Sequence, residues 1–228
     1  MIQIRPRPVL CPSWGHADLK VWTPSGTNFW WTPKTAAYPS TAEFLPGDIL
    51  LFRPLTPNSR ESGIVSYQRK VRGYDSEHAS YTHAAIWVGL DHLYCDATPA
   101  LDVRVNSLED YLANNNSCLL VRRIPNINGG QREAIARAAV GYRGQPYSFR
   151  TIVQELWGHF MSREPFSGID EETQRGLICS TLCSRAVLIG SETVSLLPSD
   201  LRLVIPATLS ESSKLEDVSI WWCAVELA

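Results

Sequence analysis

The chain has 228 residues, is 44% hydrophobic and 19% charged, and sets 21 basic against 23 acidic residues for a net charge of −2. That length buries a real core, in one large domain or one domain with extensions. The near-neutral balance gives no electrostatic reason to expect nucleic acid or an anionic membrane as partner, and no apolar run approaches the roughly 18 residues of a spanning helix.

The start, Met1-Ile2-Gln3-Ile4-Arg5-Pro6, lacks the apolar core of a signal peptide, so the chain is expected to be made in the cytoplasm. Residues 1–42 are rich in Pro, Thr, Ser and Trp. Trp14, Trp22, Trp30 and Trp31 read as cover for a core more readily than as a binding lip, because aromatics are mostly packing residues. Val21-Trp22 and Asn28-Phe29-Trp30-Trp31 are short strand candidates. Leu45-Pro46-Gly47-Asp48 is a turn and Ile49-Leu50-Leu51-Phe52 an apolar strand. Thr56 to Ser80 is polar and reads as a long loop or insertion.

The strongest strand signal is Thr82-His83-Ala84-Ala85-Ile86-Trp87-Val88. Asp91-His92 makes the turn, and Leu93-Tyr94-Cys95-Asp96-Ala97 returns as a second arm. Val103 to Val105 is a further strand, and Ser107 to Leu112 a short helix capped by Ser107. Cys118 to Ile124 is a strand ended by Pro125. Gln131 to Tyr142 is a helix with Ile135, Ala138 and Ala139 on one face, and Thr151 to Met161 a second one. After a polar connection over 162–176, the run from Gly176 to Gly190 reads as a helix. Leu182, Ala186 and Ile189 share one face, and Gly190 is placed to stop it. Leu203-Val204-Ile205 is strand-like, and Ile220 to Val225 reads as an added strand. Strands followed by helices suggest α+β, an antiparallel sheet with helices packed against it.

Six cysteines, at 11, 95, 118, 179, 183 and 223, form no C-x-x-C pair and no zinc spacing. They read as free thiols in a reducing compartment, with no metal or cofactor expected. Cys179 stands apart because it opens a helix. A thiol there faces unpaired N–H groups and the positive end of the helix dipole, which favours the thiolate. Cys183 lies a full turn inside and is expected to be buried and inert. A nucleophilic cysteine needs a base. Of the five histidines, His16, His78, His92 and His159 fall in loops, a turn or a helix, and only His83 begins an apolar strand, a rigid mount for an imidazole. Asp96, on the returning arm, is placed to reach it. Asp91, Asp102 and Glu109 are rivals for that third role.

These residues carry a resemblance. Thr82-His83-Ala84-Ala85-Ile86-Trp87-Val88-Gly89 followed by Tyr94-Cys95-Asp96-Ala97 resembles the histidine strand and third polar position of the NlpC-like papain-fold cysteine hydrolases. Pro46-Gly47-Asp48-Ile49-Leu50-Leu51-Phe52 is similar to the turn and strand before it. Cys179-Ser180-Thr181-Leu182 follows the histidine rather than preceding it. That order resembles the circularly permuted branch, with its YiiX-like proteins and lecithin–retinol acyltransferase relatives. Gly144-Gln145-Pro146-Tyr147 and Leu197-Pro198-Ser199-Asp200-Leu201 are further matches. In two places the chain departs from the non-permuted members: Ile178 stands where an acidic residue usually precedes the cysteine, and Asp96 where histidine is frequent.

The resemblance implies a permuted papain-like fold over residues 43–206, with 1–42 and 207–228 as extensions. It implies a Cys179–His83–Asp96 site supported by Ser180, at the oxyanion end of the helix, and by Tyr147. It also implies acyl hydrolysis through a thioacyl intermediate. The expected substrate is a peptidoglycan stem peptide, cut by an amidase or endopeptidase that acts as a lysis enzyme or an exported antibacterial effector with a cognate immunity protein. A lipid acyl ester is the alternative, and a non-catalytic binding protein that keeps the fold is the third reading.

Overall fold

Ile49-Leu50-Leu51-Phe52 is apolar at every position, and such a run is stable as a strand only when both of its faces are covered. The computed structural model, which describes residues 2–4, 21–22, 28–29, 35–54, 56–89, 92–99, 101–108, 117–147, 177–197, 204–218 and 221–226, covers both. In chain order the strands are β1 (Ile2–Ile4), β2 (Val21–Trp22), β3 (Asn28–Phe29), β4 (Thr35–Ser40), β5 (Ile49–Pro54), β6 (His83–Trp87), β7 (Leu93–Thr98), β8 (Asp102–Ser107), β9 (Ser117–Arg123), β10 (Glu216–Asp217) and β11 (Trp221–Glu226). The described α-helices are α1 (Ser59–Lys70), α2 (Gly129–Gly141), α3 (Cys179–Ser191) and α4 (Pro206–Glu211).

Six strands form one antiparallel sheet in the order β10-β9-β5-β6-β7-β8, which puts β5 and β6 inside it. Alternation then sorts the side chains. Ile49, Leu51, Ala84, Ile86, Cys95 and Ala97 face Ile135 and Ala139 of α2 and Leu182, Ala186 and Val187 of α3. On the other face, Leu50, Phe52, Ala85, Trp87, Tyr94, Leu119 and Val121 pack with Phe44, whose ring meets Trp87 edge-on at 5.3 Å. Burying each large apolar side chain contributes about 1.5–3 kcal/mol. The architecture is α+β, as the order of strands and helices predicts.

The turn before β5 is held by charge. Asp48 is fully buried and accepts two bonds from Arg123, at 2.8 and 2.6 Å, and one from the Leu45 N–H. This bidentate pair raises the Arg123 pKa. Gly47 has φ 84°, and a Cβ there would lie 3.0 Å from the Arg132 carbonyl oxygen, so two demands select glycine.

Several sequence expectations need correction. Thr56 to Ser80 is no loop: α1 occupies its middle, opened by a reciprocal capping box between Asn58 and Glu61. Buried Gln68 ties α1 to two later segments, donating to the Ala79 and Tyr81 carbonyls and accepting from the Ala207 N–H. Gly190 does not stop α3. The helix runs on to Ser191 and ends at Glu192 in the left-handed conformation, φ 61°. Gly190 is there because a Cβ would collide with the Ile135 backbone nitrogen, so the residue sets how closely α2 and α3 approach. Ile189 is 55% exposed, and Cys183, Val187 and Gly190 join Leu182 and Ala186 on the buried face instead. Val204-Ile205 is not strand but the extended lead into α4, whose first residue is Pro206. Ser107 ends β8. Leu108 follows it and is buried in the core with Phe44 and Trp87, whereas residues 109–112 of that expected helix, the expected helix over 151–161 and the 162–176 connection lie outside the described residues.

β2 and β3 pair as a short hairpin, and β11 is the centre of a separate three-stranded sheet, β1-β11-β4.

Candidate active site

Ladder geometry builds the site. β6 pairs with β7 through Trp87↔Tyr94, Ile86↔Cys95 and Ala85↔Asp96, and there the pairing stops. The same register would next join Ala84 to Ala97, but the strands part. On its other side β6 stays paired to β5 as far as Phe52↔His83. The first two residues of β6 are thus rigid yet open toward β7, and the start of α3 enters this opening. The Ala84 N–H, freed from the ladder, donates to the Cys179 sulfur, and so does the Ser180 N–H.

His83 and Asp96 occupy the same face of the sheet, one step apart across the strand pair. His83 Nε2 donates to Asp96 Oδ2 at 2.8 Å. Asp96 is 1% exposed, and its second oxygen accepts from Asn106 Nδ2 at 2.7 Å. Both carboxylate oxygens are therefore engaged and the imidazole is fixed in plane. With Nε2 committed, Nδ1 is the ring nitrogen left for the sulfur, to which His83 is hydrogen-bonded. The Phe52 ring lies 5.7 Å from the imidazole.

The two charges at the centre stabilise each other, although burial opposes both. Burial alone would lower the His83 pKa, but the Cys179 charge and the Asp96 bond raise it well above its ordinary value. Burial alone would raise the Cys179 pKa, but the His83 charge, the His83 bond and the Ala84 and Ser180 N–H groups lower it. The arrangement favours a thiolate–imidazolium pair. Two neighbouring thiols go the other way. Burial pushes Cys183 well up, and burial with the Asp96 charge pushes Cys95 up to about 12.

Cys179 is the first residue of α3, 7% exposed. Ser180 is fully buried, and its hydroxyl donates to the Val204 carbonyl at 2.7 Å, so it faces the sulfur only through its backbone. Tyr147 is set beside Cys179 by a parallel bridge to Leu177. Burial, with the Cys179 charge, raises its phenol pKa, so the hydroxyl keeps its proton and remains a donor. Asp102, a rival for the third position, instead accepts from the Tyr147 N–H at 3.3 Å. Asp91, Glu109, His16 and His159 lie outside the described residues. His78 bonds Ser210, and His92 is an exposed left-handed turn residue, φ 59°. Asn106 escapes a reading of the sequence, because a single amide on an edge strand belongs to no motif. Register alone identifies it: Asp96 faces Arg104, and Asn106 is the next residue on that face.

No protein-family model matches the chain, and no curated protein matches it by sequence. Its structure is similar to the crystal structure of metalloprotein YiiX from Escherichia coli O157:H7, with a TM-score of 0.52 and 14% identity, over 78% of this chain and 97% of that one. The likeness is one of fold. The six-stranded antiparallel sheet with helices packed against it is consistent with a YiiX-like fold. The word metalloprotein belongs to that neighbour. Among the described residues here, no group of three or more His, Cys, Asp or Glu is gathered so as to hold a metal ion. In this chain His83 and Asp96 are already bonded to each other, and no helix among the described residues is long and apolar enough to cross a membrane.

Proposed function

We propose that the chain is a cysteine hydrolase of the permuted papain-like type, with Cys179 as nucleophile, His83 as acid–base and Asp96 as the residue that orients His83. One observation carries the reading: a thiol at the start of a helix, its pKa lowered, is hydrogen-bonded to an imidazole whose far nitrogen is held 2.8 Å from a buried carboxylate. A purely structural cysteine has no need of that chain of bonds.

The thiolate attacks a carbonyl carbon, forming a C–S bond as the carbonyl electrons move to oxygen. That oxygen is received by N–H groups of the first turn of α3 and by the Tyr147 hydroxyl. The C–N or C–O bond then breaks as His83 passes its proton to the leaving amine or alcohol. Water, deprotonated by His83, releases the acyl group and restores the ion pair. Asp96, with Asn106 behind it, holds the imidazole aligned throughout. The proposed substrate is an amide of a peptidoglycan stem peptide, and the proposed setting is lysis or delivery into a target envelope.

Incubation of wild type and Cys179→Ala with purified peptidoglycan, and separately with phospholipid vesicles, tests this by mass spectrometry of the products. The expected outcome is muropeptide cleavage by the wild type only, a loss on the order of 10⁴-fold or more in the variant. Release of fatty acid without muropeptides would replace the amidase reading with an esterase. Equal turnover by both proteins would remove Cys179 from the chemistry.

A further inference from the structure

The polar helix α1 buries two residues, and they are consecutive: Tyr67 and Gln68. A primary amide is costly to bury unless its N–H groups and its carbonyl are all bonded. Gln68 is fully buried and meets that demand with three partners. Its Nε2 donates to the Ala79 carbonyl at 2.8 Å and to the Tyr81 carbonyl at 2.9 Å, and its Oε1 accepts from the Ala207 N–H at 2.9 Å. Methionine would fill the same space without that demand, so what distinguishes the amide is what it joins.

Its bonds lead to both halves of the candidate site. Tyr81 lies two residues before His83, and Thr82 between them is tied to the sheet by its N–H, which donates to the Phe52 carbonyl. Fixing the Tyr81 carbonyl therefore fixes the entry to β6. On the other side, the Ala207 N–H is a first-turn donor of α4. That helix opens on Ile205, whose side chain cannot cap, so Gln68 does from outside what a capping side chain does from within. The lead into α4 in turn holds the start of α3, because the Val204 carbonyl accepts from the Ser180 hydroxyl at 2.7 Å. Tyr67 completes the support, sharing an apolar cluster with Ile178, Ile205 and Ala207. The two residues that flank Cys179 are thus both backed by this pair of α1 residues, one through packing and one through α4.

We propose that Gln68 is a positioning residue of the candidate site: its amide locks the strand that carries His83 to the segment that holds the start of α3, and so sets the reach between imidazole and sulfur. The proposal rests on the reading of Cys179 and His83 as a reacting pair and is independent of the substrate. A hydrogen bond tolerates only a few tenths of an ångström, and a misplacement near 1 Å costs on the order of 10²-fold in rate. Two neighbouring contacts, Tyr74 Oη to Thr208 Oγ1 and His78 Nδ1 to Ser210 Oγ, both at 2.9 Å, join the residues around Ala79 to α4 as well. They keep those segments together when the amide is removed, but neither bonds Tyr81.

The test is the rate of Cys179 alkylation by iodoacetamide against pH, read by mass spectrometry on the full chain, for wild type, Gln68→Met, Gln68→Glu and Asn58→Ala. Gln68→Met keeps length and volume and loses all three bonds. In Gln68→Glu, burial among carbonyls favours the protonated acid, which accepts one bond and donates one, so it should restore part of the wild-type behaviour. Asn58→Ala removes the cap of α1 and weakens the same helix without touching the amide. The pH of half-maximal rate should rise by about one unit or more in Gln68→Met and by less in Gln68→Glu. Asn58→Ala should lower the urea midpoint and keep the wild-type profile. A wild-type profile in folded Gln68→Met would overturn the proposal, as would an equal displacement in Asn58→Ala. Where Gln68→Met does not fold, a wild-type profile in Gln68→Glu overturns it and a displaced one supports it. Failure of both to fold would also overturn it, making Gln68 a requirement of the fold rather than of the pair. Alkylation needs no turnover. A displaced profile in Gln68→Met, with a wild type that cleaves no acyl substrate, therefore keeps the positioning role and loses the hydrolase reading.

Discussion

His83 has partners at both ring nitrogens, and both favour its charged form. Its folded-state pKa is raised, so the stabilisation that its charge brings is present in full below its ordinary 6.5 and is lost as pH rises through the raised value. Cys179 is the mirror case: its pKa is lowered, and the stabilisation from its thiolate is present above the ordinary 9.0 and lost as pH falls through the lowered value. Between those two limits the ion pair exists, and it titrates as a unit. In His83→Ala the burial that raises the thiol pKa remains while its largest counterweight goes. Alkylation of Cys179 by iodoacetamide should stay fast at neutral pH in the wild type and become appreciable only above about pH 9 in the variant, near or beyond the ordinary cysteine range. Superimposable rate–pH profiles would show that the imidazole does not set the state of the sulfur. These groups are legible in the sequence because strand alternation and a helix start are local signals. Asn106 is not, because its role exists only once β7 and β8 are in register.

At the level of elements, the approach of two helices decides where the sulfur sits. α3 carries Cys179 at one end and Gly190 at the other, and Gly190 lies against the backbone of α2 at Ile135. A methyl group there has no flexible neighbour to displace, since the nearest atoms are the Ile135 backbone nitrogen and Cα. Gly190→Ala should therefore destabilise the protein by about 3 kcal/mol, despite alanine's better helix propensity, read as a lower urea midpoint with an unchanged slope. A neutral or stabilising result would mean that the helices can separate at little cost. In the sequence the same glycine looks like a stop signal, because glycine at a helix end and glycine at a helix crossing are spelled alike. α1 escapes for a different reason. Its polar stretch has only Tyr67 and Gln68 buried, so it shows almost no apolar stripe, although the Asn58–Glu61 capping box is written plainly. β5, β6, β7 and β9 are legible because their apolar runs are long and bounded by turn residues.

At the scale of the whole molecule, chain position and sheet membership separate cleanly. The six-stranded sheet draws its strands from residues 49–217, whereas the three-stranded sheet takes β1, β4 and β11 from the two ends of the chain. β11 is the central strand of that smaller sheet: Ile2↔Ala224 joins it to β1, and Cys223↔Tyr38 to β4. β1 and β4 have no ladder with each other, so each depends on β11 for its backbone partners. The candidate site draws on β6, β7, β8, Tyr147 and α3, none of which pairs with β11. Removing residues 219–228 should then release the N-terminal segment alone. Limited proteolysis is expected to cut within residues 1–42 and leave a core from about residue 44, while the pH profile of Cys179 alkylation keeps its wild-type form. Loss of that profile together with loss of the core would mean that the two sheets fold as one cooperative unit, and that the terminal strands hold the sulfur beside its imidazole.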